Sequence, residues 1–332
     1  MNASRMICVL ILLAALGPAT QVRAQTLRLP ELADGAGPVY VAPPAEPLIA
    51  PQGEFLDPPG SEVVDADQFL QPGEGFQEGE AYSWQLLPQG LVYRPYLAGL
   101  KESRMYGGVD VSKNDTTFWS ATVGSRFGLL RYGTTDYILP DGFEIDVEGS
   151  AQVRLDVPED VDVRSVDFRG GVPITYGVGR HRFRTGYYHL SSHLGDEFVI
   201  KNPNFNRLNY ARDVIVLGYS YYTTPNLRFY GEVGWAFYNI VGDPWEFQFG
   251  VDYAPQYRTG FRGAPFFAMN TFLKEELNYS GNVTVQFGWA WRADNGPQLL
   301  RLGVQYFNGL SSQNSFYHEY EESIGAGVWY DF

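Results

Sequence analysis

The stretch Tyr279-Ser280-Gly281-Asn282-Val283-Thr284-Val285-Gln286-Phe287-Gly288-Trp289-Ala290-Trp291-Arg292 decides the fold. Its odd positions are Tyr279, Gly281, Val283, Val285, Phe287, Trp289 and Trp291, while its even ones are Ser280, Asn282, Thr284, Gln286, Gly288, Ala290 and Arg292. A period of two puts an apolar, aromatic face on one side of an extended chain and a polar or small face on the other, which is a strand and not a helix. Phe143 to Val157 repeats the pattern, with Phe143, Ile145, Val147, Val153 and Leu155 opposing Glu144, Asp146, Glu148, Gln152, Arg154 and Asp156. So does 245–254, where Trp245, Phe247, Phe249, Val251 and Tyr253 alternate with Glu246, Gln248, Gly250, Asp252 and Ala254.

About twelve such segments are read, near 91–99, 117–130, 142–157, 165–178, 180–192, 211–222, 226–238, 245–255, 264–274, 279–292, 297–309 and 322–332. Most reach the roughly 9–11 residues that a tilted strand needs to cross a bilayer. Alternate connections are short and turn-like (Gly177-Val178-Gly179-Arg180, Thr224-Pro225-Asn226, Asp294-Asn295-Gly296-Pro297), and the long ones, 100–116, 193–210 and 310–321, fall between them. Long loops on one side and short turns on the other are the pattern of an outer-membrane barrel.

A soluble sandwich or lipocalin-like barrel alternates in the same way, with its apolar face inward. Three features favour the membrane. Residues 1–24 have the form of a secretory signal peptide, with Arg5, an apolar run from Ile7 to Leu16 and Val22-Arg23-Ala24 before the cut. Trp119, Trp235, Trp245, Trp289, Trp291 and Trp329 stand near strand ends, where they suit interfacial girdles. Finally, Val328-Trp329-Tyr330-Asp331-Phe332 resembles the terminal signal read by the barrel-assembly machinery of bacterial outer membranes.

The chain has 332 residues, with 24 Lys+Arg against 38 Asp+Glu and a formal charge of −14. That balance disfavours a nucleic-acid binder, which meets phosphate with basic patches. Its single cysteine, Cys8, falls inside the signal, so the exported chain has no disulfide, thiol nucleophile or cysteine-held metal. From 25 to 80 the sequence is acidic and rich in Pro and Gly, as in Val41-Ala42-Pro43-Pro44, with only Tyr40, Phe55, Phe69 and Phe76 among its aromatics. The expected architecture is therefore all-β: an antiparallel transmembrane β-barrel of about 12 strands over 81–332, preceded by a disordered Pro/Gly-rich periplasmic leader over 25–80.

One segment holds candidate chemistry. In Arg180-His181-Arg182-Phe183-Arg184-Thr185-Gly186-Tyr187-Tyr188-His189-Leu190-Ser191-Ser192-His193, one face carries Arg182, Arg184 and Tyr188. The other face carries Phe183, Tyr187, His189, Ser191 and His193. With the arginines in the lumen, His189 and Ser191 point to lipid near the outer rim. Two rises of a strand, about 7 Å, separate them. An imidazole there supplies the base that a serine needs to become a nucleophile. A third group must hold the imidazole, and the returning segment offers Asn206, Asn209 and Asp213, of which strict alternation favours the last two.

His189-Leu190-Ser191 followed by Asn206-Arg207-Leu208 resembles outer-membrane phospholipase A, a twelve-stranded barrel with a lipid-facing Ser-His-Asn site, and is similar to the His-x-Ser of the lipid A deacylases, whose third member is Glu. The resemblance implies Ser191 as nucleophile, His189 as base and Asn206 as the orienting residue, acting on acyl esters of outer-membrane lipids. Ser192 stands where the phospholipases usually have Asn, and the interval from His to Asn is longer here. Calcium enters through the resemblance alone, because active outer-membrane phospholipase A requires it; the sequence itself asks for no cofactor. The resemblance also leaves room for a homodimer. The chain as a whole resembles an uncharacterised domain-of-unknown-function family of exported barrels, which implies the fold and no activity.

Competing readings are an interfacial belt of Tyr and His at the rim, a metal held by His189 and His193 with Asp196 or Glu197, a narrow porin, and a structural or adhesive barrel that displays the 193–210 and 310–321 loops. Twelve strands fall between barrels whose bore is filled and those with an aqueous channel. Inward pairs such as Arg154 with a nearby acid would close the bore.

Overall fold

The computed structural model describes residues 81–113, 116–260 and 262–332; the expected signal peptide and leader lie outside the described residues. Thirteen strands follow in chain order: β1 (Ser83–Leu86), β2 (Met105–Ser112), β3 (Thr117–Gly133), β4 (Gly142–Asp156), β5 (Asp162–Val178), β6 (His181–Leu194), β7 (Tyr210–Thr224), β8 (Leu227–Asn239), β9 (Trp245–Tyr253), β10 (Ala264–Lys274), β11 (Ser280–Arg292), β12 (Leu299–Leu310) and β13 (Tyr320–Asp331). From β2 onward each strand pairs antiparallel with the next, and β13 pairs back onto β2 from Ser323↔Ser112 to Tyr330↔Met105. The wall is thus a closed cylinder of 12 strands with β1 as an addition. β2 takes only Thr117–Thr122 on its edge of β3, and β1 occupies the same edge further along, at Leu130–Gly133.

The face question is decided by exposure. Leu217, Ile324 and Phe287 are 63%, 58% and 52% exposed, whereas Glu144, Asp146 and Arg131 are 0%. A water-soluble protein buries the first set and solvates the second. A barrel in lipid does the reverse, and satisfies its enclosed charges by pairing them. Arg126 meets Asp146 at 2.6 Å, Arg131 meets Glu144 at 2.5 Å, and Arg169 meets Glu148 at 2.9 Å, all inside the lumen. Arg154 meets Glu321 at 2.8 Å, the kind of inward pair expected from the polar face.

Eleven of the expected strands coincide with β3 to β13 within a few residues. The first does not. Residues 91–99 form no strand; the segment between β1 and β2 enters the lumen, where Tyr93, Tyr96 and Ala98 are fully buried. Pro95 has no N–H to give a ladder, and the surrounding backbone is bound by side chains of the wall instead. Arg228 donates to the carbonyls of Arg94 and Pro95 at 2.7 and 2.8 Å, Arg301 donates to that of Leu97 at 3.2 Å, and Glu144 and Asp252 accept from the N–H groups of Val92 and Leu97. Tyr96 stacks on Tyr230 with ring centroids 3.9 Å apart. The wall starts at Met105, so the long 100–116 connection expected at the surface reduces to residues 113–116.

The 310–321 loop is corrected as well: it folds into the mouth of the barrel rather than being displayed. Asn314 Nδ2 donates to Asp167 at 2.8 Å, the Ser315 N–H donates to Ser192 Oγ at 2.9 Å, and Phe316 and Tyr317 are buried. The connection after β6 carries a short helix, α1 (Asp196–Lys201), whose Phe198 packs on Phe316, with centroids 5.2 Å apart. Arg164 of β5 lies over Phe316 at 4.2 Å and over Phe198 at 5.5 Å and bonds Glu319 at 2.7 Å, joining the two loops.

Candidate functional site

On β6 the alternation sends Arg182, Arg184, Tyr188 and Ser192 into the lumen and leaves Phe183, Tyr187, His189, Ser191 and His193 outside. Ser191 lies three residues before the end of β6 that faces away from Phe332, about 10 Å from the rim at the rise of a strand. The two strands that flank β6 supply its neighbours. On β7, Asp213 is directly opposite His189 and Ala211 is opposite Ser191; on β5, the corresponding residues are Gly170 and Phe168.

Register puts an acid beside the imidazole. His189 Nδ1 is 2.8 Å from Asp213 Oδ1, and the Tyr187 hydroxyl donates to the same oxygen at 2.7 Å. An ionised Asp213 accepts the Nδ1 hydrogen, so the free lone pair lies on Nε2. The His189 side chain is 46% exposed and that of Asp213 is 20%. A β-bulge interrupts the β7–β8 pairing just after Asp213, between Asp213 and Val214. Bulges of this kind re-aim side chains beside functional sites.

Ser191 shares the exterior face with His189, with no hydrogen bond between the two. Asn206 lies in the irregular stretch between α1 and β7 with its side chain exposed, and no hydrogen bond joins it to His189. Asn209 is likewise exposed, just before β7. The side chain that geometry brings to the imidazole is that of Asp213. Tyr187 joins them through a signal the sequence does carry, its position two residues before His189 on the same face.

The surface on the β5 side of His189 is bare. Gly170 and, beyond it on β4, Gly149 are paired with each other. A side chain added at either meets nothing closer than a backbone oxygen at 3.9 or 4.0 Å. Phe168 and Val172, 46% and 45% exposed, stand on either side of Gly170 along β5. The result is a trough, open to lipid, that leads across two strands to the imidazole.

Above this face, Lys201 of α1 bonds Asp162 at 2.7 Å and Glu159 at 3.0 Å, and these carboxylates hold its ammonium above the ordinary lysine value. Among the described residues no three His, Cys, Asp or Glu side chains converge as metal ligands. The pairing of His189 and His193 with Asp196 or Glu197 therefore forms no such cluster.

The lumen contains a second feature, a cavity of about 770 Å³ including its open mouth, between the 87–104 segment and the inward loop. Lys101, Arg169, Arg212, Lys274, Glu232 and Glu246 line it. Its charges compensate one another, as in Arg212 with Glu246 at 3.5 Å and with Glu276 at 3.4 Å, and Lys274 with Glu276 at 3.3 Å.

Residues 75–332 match the model of a family described as "Protein of unknown function (DUF1207)". No curated protein matches the chain. Among solved structures it is similar to the KdgM porin in complex with disordered oligogalacturonate, at 12% identity and a TM-score of 0.40, over 69% of this chain and 98% of that one. It is also similar to outer membrane phospholipase A from Escherichia coli, at 10% identity and a TM-score of 0.44, over 69% and 92% of the two chains. A mutant porin of Rhodopseudomonas blastica aligns at 10% identity with a TM-score of 0.30, over 70% and 99%.

Proposed function

Since the chain belongs to the DUF1207 family, whose description names no activity, function has to come from its own residues, and we propose that it is an outer-membrane hydrolase of lipid acyl esters. The observation that carries this is the 2.8 Å contact of His189 Nδ1 with Asp213 on the lipid-facing surface, with Ser191 two residues along the same face. Ionisable groups that face hydrocarbon are costly and are kept where they serve a function.

In this reading Ser191 Oγ attacks the ester carbonyl while His189 Nε2 takes its proton. Asp213 fixes the imidazole and stabilises the imidazolium that forms. The imidazolium then gives its proton to the departing alcohol oxygen of the lysolipid, and water repeats the cycle on the acyl-serine, releasing the fatty acid. Ser191 and His189 are not hydrogen-bonded in the substrate-free chain, and in this reading the bond forms when substrate binds. Substrate enters laterally from the outer leaflet, so neither the filled lumen nor the inward loop obstructs it. The partners are outer-membrane lipids, the assembly machinery through Phe332 and, in the homodimer form, a second copy.

The test is release of fatty acid from phospholipid and from lipopolysaccharide in detergent and in liposomes, with and without calcium. Wild type should be active and Ser191→Ala at least about a hundredfold slower. An inactive wild type under all these conditions removes the hydrolase.

A narrow porin is the second reading, and the cavity inside the lumen is what favours it. Steady large currents in planar bilayers would support it over the hydrolase.

A further inference from the structure

Resting on the hydrolase reading, we propose that Tyr187 is a positioning residue of the site: through its hydroxyl it holds Asp213 in the one orientation that locks the His189 tautomer. The Asp213 carboxylate has its hydrogen-bond partners on β6, two residues apart on one face, and both address Oδ1: Tyr187 OH at 2.7 Å and His189 Nδ1 at 2.8 Å. A carboxylate on a strand facing lipid turns freely about its terminal torsion unless donors fix it. His189 alone supplies one donor and is itself the group to be oriented. Tyr187 supplies the second from the lumen-distal face of the same strand, its ring 6.1 Å from that of Phe237 on β8. From β5 the neighbours are Phe168, Gly170 and Val172, none of which donates from a side chain.

The arrangement has an internal control. At the other end of the same strand pair, Tyr219 OH lies 2.8 Å from His181 Nδ1, a tyrosine-histidine contact with no acid in it.

The experiment is imidazole 15N–1H spectroscopy of the full chain in detergent, with kinetics in parallel. There are only 4 histidines, so the His189 signal is assigned by its loss in His189→Gln. In wild type the Nδ1–H of His189 should give a protected, hydrogen-bonded signal. Tyr187→Phe should lose it to exchange with water, and kcat should fall about three- to tenfold with KM unchanged. Tyr187→Ile, a strand-compatible second variant, should do the same, and Tyr219→Phe should leave both readouts as in wild type. Native mobility of unheated protein on gels verifies the barrel in each case. A His189 signal that survives both Tyr187 substitutions overturns the proposal. Loss of the signal in a protein whose wild type hydrolyses no ester removes the hydrolase and leaves the tautomer lock standing.

Discussion

Arg154 on β4 and Glu321 on β13 face each other at 2.8 Å past the two strands, β2 and β3, that separate them in the wall. Their side chains are 10% and 13% exposed, and the guanidinium also lies 5.1 Å over the ring of Phe118. Removing one partner strands the other charge. Glu321→Ala should therefore cost about 3 kcal/mol in reversible urea unfolding from vesicles. Replacing both residues by Leu should restore much of that loss, and a single variant within about 0.5 kcal/mol of wild type would show the pair to be idle.

Arg228 and Arg301 pin the 87–104 segment by its carbonyls. Wild type should show little conductance in planar bilayers. Arg228→Ala with Arg301→Ala should show frequent openings, because the segment then has unsatisfied backbone inside a polar lumen and water competes for it. Equal, steady currents from both proteins would mean that the segment does not seal the bore.

Asp213, rather than Asn206, is expected to carry the third role in hydrolysis. Asp213→Ala should lower kcat/KM by about 10²- to 10⁴-fold. Asn206→Ala should stay within about twofold of wild type, since an exposed loop residue without contact to the imidazole contributes little to the transition state. The opposite ranking would place the orienting group on the loop.

Gly170→Leu fills the trough beside His189. Because an added Cβ there meets only the Glu148 carbonyl oxygen at 3.9 Å, the barrel should assemble normally. Leucine suits a lipid-facing position, so unfolding should be unchanged. Ester hydrolysis should nonetheless fall about tenfold or more, as an acyl chain would lose its approach to Ser191. Undiminished hydrolysis would mean that substrate reaches the serine from the β7 side.

Period-two alternation made β3 to β13 legible because each strand has one face in lipid and one in a charged lumen, so every second residue must change character. The same logic put His189 and Ser191 outside, opposite Arg182 and Arg184. It failed at Leu91-Val92-Tyr93-Arg94-Pro95-Tyr96-Leu97, where every residue but the half-buried Arg94 is buried, and burial and not a ladder selects the residues. Pro95 was the warning, and the true first wall strand hid in Met105-Tyr106-Gly107-Gly108-Val109, whose glycines weaken the pattern. Parity narrowed the partner of His189 to Asn209 or Asp213. Choosing between them required the register of β6 on β7, which the length of the intervening loop does not reveal.

β1 and β2 share one edge of β3, and the chain between them leaves the wall, crosses the interior and returns. The seam between β2 and β13 joins the two ends of the cylinder, a highly non-local contact of the sort that forms late. Buried arginines from two separate wall strands, Arg228 on β8 and Arg301 on β12, hold the segment by its carbonyls. The segment is thus an internal cross-brace of the cylinder, and the last strand is the fastener that closes the wall around it.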